Sequence, residues 1–450
     1  MNQTFEGPAI QWFALSPLLT LVAGALTLLL VGALTPKWPR GMYAMLSSIT
    51  LGASAVLTGL LWIDTEEPRT LIGQSLVLDR FAIFAVFAMT VATMMAVLTT
   101  NDHLEREGTD APEPYGLILT ALIGGVAMVL ANDLIVMFLG LETLSLSFYL
   151  LAASDRKRTA SGEAGLKYFI LGGFASAFFL YGVALLFGVS GTTNLRSMAG
   201  VFANEVSLSS GDAMLLAGVA LLLVGFAFKV SLVPFHVWTP DVYQGAPTPF
   251  TGFMASVGKV VAFAALVRVF TVALAARADD WRPAVWLLAV ITLIVGSVLA
   301  VVQTDVKRML AYSSISHAGF ILVGLVAASY FGDVDSTLGV SSTMAYLFIY
   351  AVLVAGTFAV VSAVAGKEDA ATSLDAFKGL AKKQPVLALA MTVLLLAQAG
   401  VPLTSGFVAK FGVIRAAVGV ESYALAVIAM LAAVIAAYLY LRIMVSMWLA

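Results

Sequence analysis

The 450-residue chain contains no cysteine, so it can build neither a disulfide framework nor a cysteine-ligated zinc or iron–sulfur site, and any redox chemistry has to belong to a partner. Charge is also scarce. Asp, Glu, Lys and Arg make up 11% of residues, against roughly 25% in a typical soluble protein. There are 3 histidines, His103, His236 and His317, too far apart in sequence to indicate a metal site. A net charge of −2 gives no hint of nucleic acid binding. No Lys or Arg precedes Lys37, so the first apolar segment lacks the basic flank of a secretory signal peptide and is expected to stay as a membrane anchor.

Apolar residues fill the chain instead: 61% are hydrophobic and the mean hydropathy is +0.99. A helix needs ~20 apolar residues to cross a bilayer. Thirteen stretches qualify, near 12–35, 42–63, 77–100, 115–131, 133–153, 164–189, 213–236, 248–274, 284–303, 306–329, 341–365, 384–418 and 422–449. They are continuous and rich in Leu, Ala and Gly, unlike the short alternating strands of a membrane barrel. The expected fold is an all-α polytopic membrane protein in the lipid bilayer, with very little chain left for a soluble domain. Twelve of the 24 Lys and Arg residues fall in loops on one side, among them Lys37, Arg156, Lys157, Arg158, Lys307 and Arg308, against six on the other. The richer side should be cytoplasmic, which places the N-terminus outside.

Most charges sit near span ends, where long side chains reach the headgroups; Arg268, Arg442 and Lys167 fit that reading, and His103, in NDHLEREGTDAPEP (101–114), reads as a solvated loop residue. Glu142, Lys229, Lys259 and Lys410 do not fit it. Each lies several residues inside an apolar span, at a cost of about 2.5–3.5 kcal/mol on insertion scales. They can be ion pairs that fasten the bundle, but three lysines to one acid leave at least one lysine hydrated, neutral or held by a hydroxyl or carbonyl. Burial disfavours an ammonium and a neighbouring carboxylate favours it, so changing their separation can switch proton occupancy. That is the chemistry of a proton relay.

Two prolines add to it. Pro234 cannot donate to the carbonyl of Val230, so the seventh span should open beside Lys229, and Pro402 in AGVPLTSG should interrupt the twelfth near Lys410. Irregular backbone at membrane depth is tolerated where it is buried in protein or lines a wet cavity. His236 follows the first break and can carry protons between Lys229 and the inner surface. His317, with Ser313, Ser314 and Ser316 close by, should be deep and is either a relay residue or a hydrogen-bonding link between helices. The broken spans hold the same place in two sets of five, which suggests inverted repeats at 113–275 (spans four to eight) and 283–450 (spans nine to thirteen) after a three-helix segment at 1–112. Glu142 in the fifth span then corresponds to the tenth span, which carries His317.

The stretches FKVSLVPFHVWTPDVYQGAPTPF, LGLETLSLSFYLLAA, QTDVKRMLAYSSISHAGF and AGVPLTSGFVAKF closely resemble the antiporter-like subunit N family of bacterial respiratory complex I, the proton-translocating NADH:quinone oxidoreductase. The resemblance runs from about residue 75 to the end, and WTPDVYQGAP is its most specific part. It implies that Glu142 is the fifth-helix glutamate paired with Lys229, that Lys259 is the connecting lysine of the eighth helix, that Lys410 belongs to the broken twelfth helix, and that His317 lies on a central hydrophilic axis. It also implies that the chain binds no cofactor, with FMN, iron–sulfur clusters and quinone in partner subunits, that its partners are other membrane-arm subunits, and that it resides in the bacterial plasma membrane. Bacterial members usually have fourteen spans against the thirteen counted, so either one span is miscounted or a final helix lies beyond this sequence. The rival functions are a subunit of a multisubunit cation/proton antiporter and a purely structural membrane subunit.

Overall fold

The computed structural model describes residues 10–35, 38–204, 210–331 and 336–449; Lys37, counted above on the basic side, lies outside them. Helices α1 (Trp12–Leu34), α2 (Met42–Asp64) and α3 (Arg80–Glu107) come first, with a hairpin of β1 (Arg69–Leu71) and β2 (Leu76–Leu78) between α2 and α3. Next are α4 (Pro112–Leu130), α5 (Leu134–Ala152), α6 (Thr159–Ser190), the short α7 (Leu195–Asn204), α8 (Ser210–Lys229), α9 (Trp238–Gly245) and α10 (Thr248–Arg268). The chain ends with α11 (Ala278–Val301), α12 (Val306–Ala328), α13 (Ser336–Ala365), α14 (Leu380–Lys383), α15 (Pro385–Ala399), α16 (Ser405–Gly419) and α17 (Tyr423–Leu449). Among the described residues 11 helices are long and apolar enough to cross a membrane. The seventh span loses its helix at Lys229, where α8 ends ahead of Pro234, with the short α9 following beyond its expected end, and the twelfth is split into α15 and α16 around Pro402, as the two prolines predict.

Burial divides the helices by role. α10 and α12 are buried along their whole length, whereas α1, α6 and α17 present Leu, Phe and Val outward, where lipid is the expected solvent. Membrane helices gain little from hiding apolar surface from one another, so close packing through small residues holds them together. α4 and α5 meet at Gly124 and Gly140: a Cβ on Gly124 would lie 2.7 Å from the Gly140 carbonyl oxygen. α11 and α12 meet the same way at Gly296, where a Cβ would lie 2.6 Å from the Ser316 nitrogen.

These two helix pairs share more than a glycine. Asp133 caps α5 through the amides of Ile135 and Val136, and accepts from Thr193 at 2.5 Å; Asp305 caps α12 through the amide of Arg308, and accepts from Thr372 at 2.6 Å. Each aspartate also makes a single antiparallel bridge, to Asn194 and Ser373 respectively. Gly124 precedes Asp133 by the same interval as Gly296 precedes Asp305. α5 runs from Asp133 towards the loop bearing Arg158, which contacts Asp369 beside the start of α12, so the two caps lie at opposite rims.

Gly124→Val forces a branched side chain onto backbone and should cost about 1–3 kcal/mol or more. A lowered thermal unfolding midpoint of the detergent-solubilised protein, against an unchanged one for Gly162→Ala, whose Cβ position is open, checks this.

Candidate functional site

α8 stops at Lys229 and the chain turns through Ser231 at φ 62° and a cis Val233–Pro234 bond before α9 begins. The freed backbone groups are satisfied locally: Leu232 N donates to Ala227 O at 2.8 Å, Val233 N to Thr292 Oγ1 on α11 at 3.1 Å, and the Trp238 indole to Phe228 O at 3.0 Å. The break is therefore a built feature of the bundle. It places Lys229 at the carbonyl end of a half-helix, where partial negative charge favours a cation. The Lys229 ammonium donates to Ser145 Oγ at 2.7 Å and sits 3.5 Å from Tyr168 Oη, with the Phe148, Tyr149 and Tyr168 ring centroids 5.4–6.0 Å away.

Glu142 lies one turn before Ser145 on α5, half-buried, and accepts from Ser176 Oγ on α6. Among the described residues no ion pair within 4 Å joins it to Lys229, so the pairing that the resemblance implies is not a contact in this structure. The end of α8 brings Lys229 level with Ser145, and the serine takes the hydrogen bond. His236 lies in the linker after Pro234 with Nδ1 buried and without a partner, and no hydrogen bond connects it to Lys229.

The middle of the bundle holds two hydrogen-bonded clusters on neighbouring turns of α12, with the rings of His317 and Tyr350 in contact between them. Lys259 on α10 donates to the backbone carbonyl of Ser314 on α12, and Ser314 Oγ meets Tyr350 Oη of α13 at 2.7 Å. Tyr440 Oη of α17 lies 2.6 Å from Ser313 Oγ and 3.1 Å from His317 Nε2, while His317 Nδ1 is 2.6 Å from Tyr346 Oη. His317 thus lies inside a ring of hydroxyls from three helices.

Lys410 rides on α16, beyond the second break, and reaches back to donate to Ala399 O, the last residue of α15, at 2.9 Å. The two broken-span lysines therefore lie on opposite sides of their breaks: Lys229 is the last residue of its first half-helix and reaches across to α5, whereas Lys410 reaches back to the terminal carbonyl of its own. Gly400 makes this possible: it turns the chain at φ 84°, and a Cβ there would lie 2.8 Å from Lys410 Cδ.

Comparison with known proteins places the chain. Residues 131–436 match the family described as NADH:quinone oxidoreductase/Mrp antiporter, transmembrane. The chain belongs to this family. It is 40% identical to NADH-quinone oxidoreductase subunit N 1 of Herpetosiphon aurantiacus over 99% of this chain and 89% of that one, and 39% identical to subunit N of Mycobacterium tuberculosis over 98% and 90%. Among solved structures it is similar to a chain of respiratory complex I from Thermus thermophilus, with a TM-score of 0.80, 30% identity, and coverage of 96% and 90%. A chain of the Mrp complex from Dietzia, at 23% identity, TM-score 0.84 and coverage of 98% and 81%, shares the fold.

Several polar residues of this antiporter-family chain lie where sequence reasoning did not put them. Lys307 is fully buried and pairs with Asp369 at 3.5 Å; Asp369 also accepts from Arg158 at 3.3 Å and from the Thr248 amide at 2.7 Å, tying α6, α10 and α12 together at one rim. His103 is a buried residue of α3, not a solvated loop residue, because the helix continues to Glu107. Arg268 is buried in a bidentate pair with Asp79 at 2.8 Å and does not reach for headgroups. Tyr168, Tyr346, Tyr350 and Tyr440 were missed because a tyrosine in an apolar run reads as packing; the signal available was Tyr346 and Tyr350, four residues apart and so on one face of α13.

Burial alone would raise the pKa of Asp369, but the charges of Lys307 and His103 and the Thr248 hydrogen bond more than offset it, leaving it below the ordinary 3.8. Its stabilisation is complete above that value and is lost as pH falls below it. Asp369→Ala leaves a buried lysine without its carboxylate and should destabilise by on the order of 3–5 kcal/mol, read as a lowered unfolding midpoint at pH 7 that converges with wild type as the pH drops below 3.8.

Proposed function

We infer that this chain is a proton-translocating membrane-arm subunit of an NADH:quinone oxidoreductase. The observation that carries it is the buried polar file, with lysines held on neutral oxygens at both broken helices and in the centre. The family and its subunit N relatives supply the enzyme complex in which such a file would work.

In this reading protons enter where α8 is broken, with His236 at the inlet, and load Lys229. Glu142 tunes Lys229 through space, and its half-buried position lets a neighbouring subunit alter that field. Lys229 gives a proton to a neutral Lys259: one N–H bond breaks, one forms, and the charge moves laterally. Ser314 with Tyr350, and Tyr440 with His317 and Tyr346, are the two hydrogen-bonded clusters across which it would continue to Lys410 and the exit. A lysine on a serine or a carbonyl is suited to this, because no fixed carboxylate holds its proton permanently.

FMN, iron–sulfur clusters and quinone belong to partner subunits, and the redox energy released there drives proton movement here. Other membrane-arm subunits flank the chain in a bacterial plasma membrane, with its N-terminus outside. The two five-helix units, 113–275 and 283–450, would be inverted repeats, supported by the matched caps at opposite rims. An antiporter subunit has the same fold, but the subunit N relatives at about 40% identity favour the oxidoreductase.

Lys229→Ala in the assembled complex should lower coupled quinone reductase activity several-fold with the complex still forming, measured as NADH-driven proton uptake into vesicles per assembled complex. Uptake at the wild-type level would remove Lys229 from the relay, and activity falling only in proportion to lost complex would favour a structural role.

A further inference from the structure

A phenylalanine ring lies against the amino group of each broken-span lysine, on the side of the file's centre. Phe148 of α5 is buried with the Lys229 ammonium 5.4 Å from its ring centroid, and it meets Phe253 of α10 in a T-shaped contact at 5.4 Å. A Cβ on Gly258, the residue before Lys259, would lie 2.9 Å from Phe148 Cε2. The ring therefore fills the space between the Lys229 ammonium and the backbone that carries Lys259. Phe320 of α12 is placed alike: the Lys410 ammonium lies 4.9 Å from its centroid, and the ring stacks at 6.4 Å and 15° on Tyr346, which holds His317.

The two positions are equivalent in the fold. Phe148 follows the capping Asp133 by the same number of residues as Phe320 follows Asp305, and each stands three residues after a group of the file, Ser145 or His317. A phenyl ring offers no hydrogen-bond donor or acceptor in its plane, so a chain of water or hydroxyls cannot pass while it stays in place. Its face attracts an ammonium and not a neutral amine, which ties the ring's position to whether the lysine holds its proton.

We propose that Phe148 and Phe320 are a pair of gates that separate the two broken-span lysines from the Lys259–His317 segment, one ring moving aside at a time. This rests on the relay described above. With one gate always closed, the membrane is never connected straight through, and a proton moves only in steps.

The test uses the whole complex in proteoliposomes, recording protons taken up per NADH oxidised during turnover and passive proton permeability without NADH. Phe148→Asn or Phe320→Asn should lower the proton-to-NADH ratio with little passive leak, the double variant should leak without NADH, and Phe148→Leu and Phe320→Leu should keep the wild-type ratio. If an Asn variant does not assemble, the Val variant, which opens the gap without adding polarity, is read the same way. Wild-type ratios in both single variants and a tight double variant would overturn the gates. Lys229→Ala in the same preparation separates the two levels: full pumping there sinks the relay itself, whereas defective pumping there with normal Phe variants sinks the gates alone.

Discussion

Three lysine amino groups are held inside a membrane bundle by oxygens that carry no formal charge, and the rest of the structure accommodates that. Lys229 ends on a serine hydroxyl, Lys259 on a helical carbonyl and Lys410 on the last carbonyl of a half-helix. A buried carboxylate in direct contact would hold each proton firmly; a neutral oxygen stabilises the charge less and so lets it go. Elsewhere the chain does use full ion pairs, Arg268 with Asp79 and Lys307 with Asp369, and these lie towards the rims, where they fasten helices. Charges in ion pairs and lysines on neutral oxygens are thus separated by depth.

The backbone makes the neutral sites available. A continuous helix spends its carbonyls internally, but each broken span exposes a terminus at depth; Lys410 settles on one, and Lys229, the last residue of α8, reaches from the other to Ser145. Tight contacts at Gly124 and Gly296 draw the helix pairs close enough that Ser145 and His317 project into the file. The fully buried α10 and α12 then supply its centre, shielded from lipid by the helices around them.

Much of this was readable from residue order. Hydropathy located the spans, prolines located the breaks, and Glu142, Lys229, Lys259, Lys410 and His317 stood out because an ionisable group is costly in an apolar run. The misjudged residues depend on partners distant in sequence. Lys307 looked like a boundary residue and is buried because Asp369 reaches it across the fold; Arg268 looked like an interfacial arginine until Asp79 met it; Glu142 was read as the partner of Lys229, and the hydrogen bonds of the two go to Ser176 and Ser145 instead. The tyrosines around His317 carry no depth signal, since their rings suit a membrane span whether or not their hydroxyls are used.

The central claim is that charge crosses the middle of this bundle through Lys259. The most direct measurement is NADH-driven proton uptake per assembled complex in vesicles carrying Lys259→Met, which keeps the length and apolar volume of the side chain and removes its proton site. Uptake falling well below wild type while the complex assembles normally is the expected result. Wild-type uptake in that variant would contradict a relay through the buried file.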